Sequence, residues 1–155
     1  MDDRKKKVMR LQENLSAVRK LAGWTMEELG DKIGITKQTV SNLENKKSEM
    51  TLTQYIAIRA VLQCEIEAHN DNELLAKAVA ILVDYDDIDE DSYNNARSGF
   101  DDISKAVSAG VAIPTLVKLL SSILVLPNMP ISALLKATVS GIWIYKLLGR
   151  EDKYK

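Results

Sequence analysis

The stretch "TMEELGDKIGITKQTVSNLEN", from Thr25 to Asn45, decides the fold. It holds two short amphipathic runs, each opened by a threonine and joined across Gly34 and Ile35. Thr25 suits an N-cap, and Glu28 three residues on completes a capping box. Leu29 and Ile33 make the inner face of the first run, and Gly34 is a natural left-handed stop. Thr36 caps the second run, whose Val40 and Leu43 point inward. Two short helices tied by a glycine-containing turn present the second one outward, as a probe the size of a DNA major groove. Gly30 stands where the pair crosses, a place that calls for a small residue.

Helical periodicity continues on both sides, while strand alternation is scarce. Leu11, Leu15 and Val18 keep one face apolar, and Gly23 ends that first helix. Thr51 caps a fourth helix in which Leu52, Tyr55, Ile58 and Leu62 share a face. A fifth carries Leu74, Leu75, Val79 and Leu82. The fold class expected is all-α.

From about Leu11 to Leu62 the chain resembles the lambda repressor and Cro family, often called Xre-like. The residues that carry the resemblance are "NLSAVRKLAGWTMEELGDKIGITKQTVSNLENKK" and the helix after them. It implies a five-helix DNA-binding domain whose third helix, about 37–45, enters the major groove while the second lies across the backbone, a geometry for which this family is a standard example. It places Arg19 of the first helix against Glu44 at the end of the recognition helix, as a brace that does not touch bases. It assigns Lys37, Gln38, Ser41 and Asn42 to base edges. Their chemistry is apt, since lysine donates to guanine while glutamine and asparagine read adenine by two-point contact. Thr39 would approach a thymine methyl or a phosphate.

Three departures from the family pattern matter. Met26 stands where a phosphate-clamping glutamine is common, which leaves backbone amides at the helix start to receive the phosphate. The usual "ENG" reads "ENK", so Asn45 or Lys46 is expected in a left-handed cap, with Lys46 and Lys47 binding phosphate in return. Gly30 replaces the more common alanine, with a slightly floppier crossing expected.

Charge is divided along the chain although its formal sum is only −1. Arg4, Lys5, Lys6, Lys7 and Arg10 crowd the start, and "DYDDIDED" runs from Asp84 to Asp91. This suits a polyanion-facing front half, with "RKKK" adding phosphate contacts, and an acidic connection behind it. Cys64 and His69 are the only residues of their types, so neither an intrachain disulfide nor a multi-histidine or multi-cysteine zinc site can be drawn from one chain. Their spacing is poor for a nucleophile and its base. The acidic run lacks the calcium-loop pattern, because no register supplies the turn glycine and final glutamate. "MDDRKKKVMRLQENL" lacks the apolar core of a secretory signal. No catalytic residue, cofactor or metal site is expected, and the location expected is cytoplasmic.

Behind the acidic run comes a helix from about Ser92 to Ala109. "AIPTLVKLLSSILVLPNMPISALLKATVSGIWIYKLLG" then gives two apolar helices around "LPNMP", an apolar helical hairpin. Lys118, Lys136 and Lys146 interrupt it, and each central charge would cost roughly 2.5–3.5 kcal/mol in a bilayer. Its apolar faces are more simply hidden by another subunit than within a self-contained effector domain or a membrane.

The division expected is a DNA-binding domain over 1–70 with its core wholly upstream of residue 70, a connecting helix and acidic linker over 71–91, and a helical oligomerisation region over 92–155, with the homodimer or higher oligomer formed through about 92–148. The function expected is a sequence-specific transcriptional regulator of double-stranded DNA, a dimeric repressor. Two alternatives stay open: an antitoxin-type module whose C-terminal half binds a partner protein, and a membrane-associated regulator.

Overall fold

The computed structural model describes residues 2–123 and 129–149, and its regular structure is entirely helical. Residues 126–128 of "LPNMP" lie outside the described residues, as do Leu124 and the end of the 92–155 region. The helices are α1 (Asp3–Glu13), α2 (Leu15–Leu21), α3 (Met26–Ile33), α4 (Lys37–Glu44), α5 (Leu52–Ala68) and α6 (Glu73–Ala78), which runs into a π-helical turn (Val79–Asp84). Then follow α7 (Glu90–Ser108), α8 (Ile113–Ile123), α9 (Ile131–Val139) and α10 (Trp143–Leu147).

Local chemistry explains the front boundaries. The single helix expected through Leu11, Leu15 and Val18 to Gly23 instead breaks at Asn14, which leaves helical geometry at φ −106°, ψ 7°, and whose side-chain Nδ2 donates to Arg10 O at 2.8 Å and Tyr93 Oη at 2.9 Å. Thr25, Thr36 and Thr51 each accept from the backbone amide three residues on, at 3.0, 3.0 and 3.1 Å. The reciprocal half of a capping box forms at α5, where Thr51 N donates to Gln54 Oε1 at 2.9 Å. Gly34 takes the left-handed cap at φ +77°.

Gly30 corrects one expectation. A Cβ at this position would stand 2.5 Å from the carbonyl oxygen of Ile35. The crossing is therefore tight, not floppy: the turn backbone occupies the space a side chain would need.

The core does not stop at residue 70. Leu11, Leu15, Val18, Tyr55, Ile58 and Leu62 share one buried cluster with Leu74, Leu75, Val79, Leu82, Phe100, Ile103, Leu116, Leu120 and Trp143. Val79 to Val83 are all buried because α1, α7 and α9 surround the π turn, and an element apolar all round belongs inside. The expectation of a self-contained core upstream fails for this reason. α7 lies along α2, α8 packs on α6 and α7, and α9 packs on α5, α6 and the π turn. Among the described residues α8 and α9 each pack on these earlier elements, not chiefly on each other as the expected hairpin would. The second apolar segment is split at Gly141, φ +75°, so that Trp143 turns back to meet the Tyr55 ring edge-on at 6.1 Å.

Residues 84–91 are tied down by partners that a linker would lack. Arg59, fully buried, holds Asp84 through Nε at 3.1 Å and Nη2 at 2.7 Å, and its guanidinium lies 4.9 Å over Trp143. Thr138 Oγ1 also donates to Asp84, at 2.9 Å, and Gln63 links Arg59 to the carbonyl of Val139. Lys7 reaches Asp86 at 2.9 Å and Asp84 O at 3.1 Å. Asp89 caps α7, and hydrogen bonds from the Ser92 amide and hydroxyl hold its carboxyl below the usual range. The Tyr55 hydroxyl is buried without a hydrogen-bond partner among the described residues, and burial pushes its phenol well above the ordinary value.

The basic start is helical and partly committed. Arg4 Nε donates to Leu147 O at 3.0 Å, and Arg10 donates to Tyr85 O while lying 5.1 Å over the Tyr93 ring. With Lys7, three cations of α1 thus meet carbonyls at or near the C-terminal ends of the π turn and α10, where the helix dipole favours positive charge. Lys5 is left exposed and Lys6 half-buried.

Candidate nucleic-acid interface

α3 and α4 pack on each other through Leu29, Val40 and Leu43, all at most 1% exposed. That packing fixes which face of α4 is turned out. Lys37 and Gln38 are exposed; Thr39, Ser41 and Asn42 are partly exposed; Lys46 and Lys47 are exposed just past the helix end. The structure thus gathers the seven candidate DNA-contacting residues on α4 and the loop after it.

The outward polar groups pair among themselves. Thr36 and Thr39 hydroxyls lie 2.9 Å apart, and Asn45 Nδ2 donates to Ser41 O at 2.9 Å. Gln38 Nε2 donates to Asn42 Oδ1 at 2.9 Å. Lys46 takes the left-handed conformation, φ +58°, so Asn45 does not. Its amide then meets Leu43 O at 3.2 Å, and that of Lys47 meets Asn42 O at 2.9 Å, which satisfies the last carbonyls of the helix.

Two devices hold the probe. Arg19 Nε lies 2.7 Å from Glu44 Oε1, and Nη1 donates to Trp24 O at 2.7 Å. The two side chains are only 8% and 4% exposed, so the pair is shielded from solvent competition. Gln12 does the second job: Nε2 donates to Leu43 O at 3.0 Å and Ser48 O at 2.7 Å, while Oε1 accepts from Met50 N at 3.0 Å. It thereby pins the loop that carries Lys46 and Lys47 to α1. Sequence reasoning missed Gln12, because a glutamine beside a core leucine has no local signature for a partner 31 to 38 residues away. Met26 is half-buried against the core and Lys32 lies 4.9 Å over the Trp24 ring. Among the described residues, no group of three or more histidines, cysteines or carboxylates could hold a metal ion.

Residues 15–68 match the family model described as helix-turn-helix. Antitoxin HipB of Escherichia coli strain K12 is 43% identical over 49 residues, which cover 32% of this chain and 56% of that protein. Antitoxin HipB of Escherichia coli O6:H1 is 41% identical over 49 residues, 32% of this chain and 52% of that protein. The chain thus spans about half the length of these curated relatives. No solved structure gives a match. Buried packing between α3 and α4, threonine caps and a glycine turn, together with these matches, lead to one conclusion: over residues 15–68 the chain carries a helix-turn-helix domain of the lambda repressor and Cro type.

Proposed function

We propose that the protein is a sequence-specific DNA-binding transcriptional regulator, a repressor that acts as a dimer in the cytoplasm. The observation that carries this reading is the outward polar face of α4, from Lys37 to Asn42, held by the buried Arg19–Glu44 pair. A rigid helix bearing amide and ammonium groups can present donors and acceptors to base edges without first being ordered, which lowers the entropic cost of binding. Lys46 and Lys47 beside it supply the sequence-independent attraction to phosphate. One such helix covers few base pairs, and two-fold pairing over half-sites about one DNA turn apart supplies the rest. The rear region over 92–148 is the surface proposed for that pairing: Val111, Leu119, Val139 and Leu148 are 41%, 48%, 44% and 53% exposed there.

A second reading has specific support. Both relatives named above are antitoxins, and the same apolar rear residues suit a partner protein as well as a second copy. A membrane role has less support, since no helix among the described residues is long and apolar enough to cross a bilayer.

The deciding experiment measures binding of the full chain to genomic fragments, with light scattering on the same sample. Enrichment of a two-fold related motif by a dimer is expected. A monomer that enriches nothing would overturn the proposal, and co-purification of a small toxic protein encoded beside it would favour the antitoxin reading.

A further inference from the structure

The hydrogen bond between Gln38 and Asn42 limits what each can offer to DNA. A side-chain amide has one acceptor oxygen and two N–H donors. Two-point contact with adenine uses one of each, an N–H to N7 and the oxygen accepting from N6. Gln38 gives one N–H to Asn42 at 2.9 Å and keeps its oxygen and the other N–H. Asn42 has its oxygen turned along the helix toward Gln38 with one of its two lone pairs taken, so the part it leaves freest for the groove is an amide nitrogen with two donors. Such a group suits a base edge that only accepts. Guanine, with N7 and O6, offers two acceptors, and thymine offers O4.

The residues around the pair do not disturb it. Thr39 bonds Thr36, and Ser41 is held by Asn45, so neither competes for the Asn42 oxygen. In the free protein the pair is exposed and water competes with it, which keeps the bond weak. On entry to a groove the water leaves. An Asn42 oxygen deprived of the Gln38 donor is then unsatisfied, and each residue comes to depend on the other.

We propose that Gln38 and Asn42 read DNA as one hydrogen-bonded unit. It selects adenine at the base met by Gln38 and an acceptor edge, guanine first, at the neighbouring base met by Asn42. This rests on the DNA-binding reading above and adds to it which bases are chosen and that the two choices are coupled.

The test is selection of bound duplexes from a randomised DNA library by the full chain, followed by sequencing. Wild type, Gln38→Ala, Asn42→Ala and Asn42→Asp are compared, with thermal melts to show that each exposed substitution leaves the fold intact. Wild type should enrich an adenine beside a guanine. Asn42→Ala should relax preference at both positions by roughly fivefold or more, the low end of what one bidentate contact is worth. Asn42→Asp keeps the acceptor for Gln38 but has no donor, so it should retain adenine and lose guanine. Adenine lost in Asn42→Asp, or positions that relax independently in the alanine variants, would overturn the coupling while leaving DNA reading intact. A wild-type chain that enriches no motif would sink both.

Discussion

Arg59 and Asp84 grip each other at two points where α5 meets the π turn, and neither has another opposite charge as close in the described network. Asp84→Asn would leave a fully buried guanidinium beside an uncharged amide. Breaking one side of a buried pair costs about 3–5 kcal/mol. Urea denaturation should show a loss of that size, together with a changed near-ultraviolet signal from Trp143, which stacks on Arg59. A loss below about 1 kcal/mol would mean that water reaches the pair.

Arg19→Ala tests the brace of the probe. With Glu44 left 4% exposed and uncompensated, the stability loss should again be about 3–5 kcal/mol. Affinity for DNA should fall mainly through the unfolded fraction, so it should recover on cooling. An unchanged melting temperature would show that the pair opens to solvent.

Gly30→Ala sets two effects against each other. Alanine favours a helix interior by up to about 1 kcal/mol over glycine. The contact with Ile35 O at 2.5 Å opposes it, and overpacking of this kind costs about 1–3 kcal/mol because backbone has to move. Destabilisation should win in a thermal melt. A more stable variant would show that the turn after α3 shifts freely.

Lys46 carries both strain and charge. A non-glycine residue at φ +58° is held in a sparsely populated region at a cost of about 1 kcal/mol or more. Lys46→Gly should therefore stabilise the fold while weakening DNA binding across all sequences. Neutralising Lys46 and Lys47 together should reduce the slope of log affinity against log salt by about two, if each meets one phosphate. Salt titrations of binding measure this, and an unchanged slope would confine both lysines to solubility.

A fragment ending near Asn70 should fold poorly. It lacks Leu74, Leu75, Ala78, Val79, Ile81, Leu82 and Val83, each at most 1% exposed, which cover the apolar faces of the front helices. Each large side chain of this kind contributes about 1.5–3 kcal/mol when buried. The fragment should melt broadly and well below the full chain by circular dichroism. A cooperative melt at the parent's temperature would show that the front helices suffice.

The helix starts at Thr25, Thr36 and Thr51 and the left-handed stop at Gly34 were legible because capping acts over three or four residues. The outward face of α4 followed from Val40 and Leu43, which had to point in. The rear was harder. Nothing near Arg4, Lys7 or Arg10 in the chain announces that their partners are carbonyls of Leu147, Asp84 and Tyr85. A charge run reads as a solvated face until its distant partner is known. Five apolar residues from Val79 to Val83 likewise fit a regular helix by composition, and only the surrounding elements decide that the turn widens there.

The hydrogen bond from Arg4 to Leu147 joins residues 143 apart in the chain. During synthesis α1 leaves the ribosome long before its closing partner, 143 residues further on, is made. Contacts of such span have to await loop closure, and topologies rich in them fold slowly. The nascent front half therefore waits with part of its apolar surface open, a state that chaperones and proteases recognise. A message broken before the codon for Leu147 would yield chains without this clasp, so translation at least that far becomes a condition for a durable DNA-binding half.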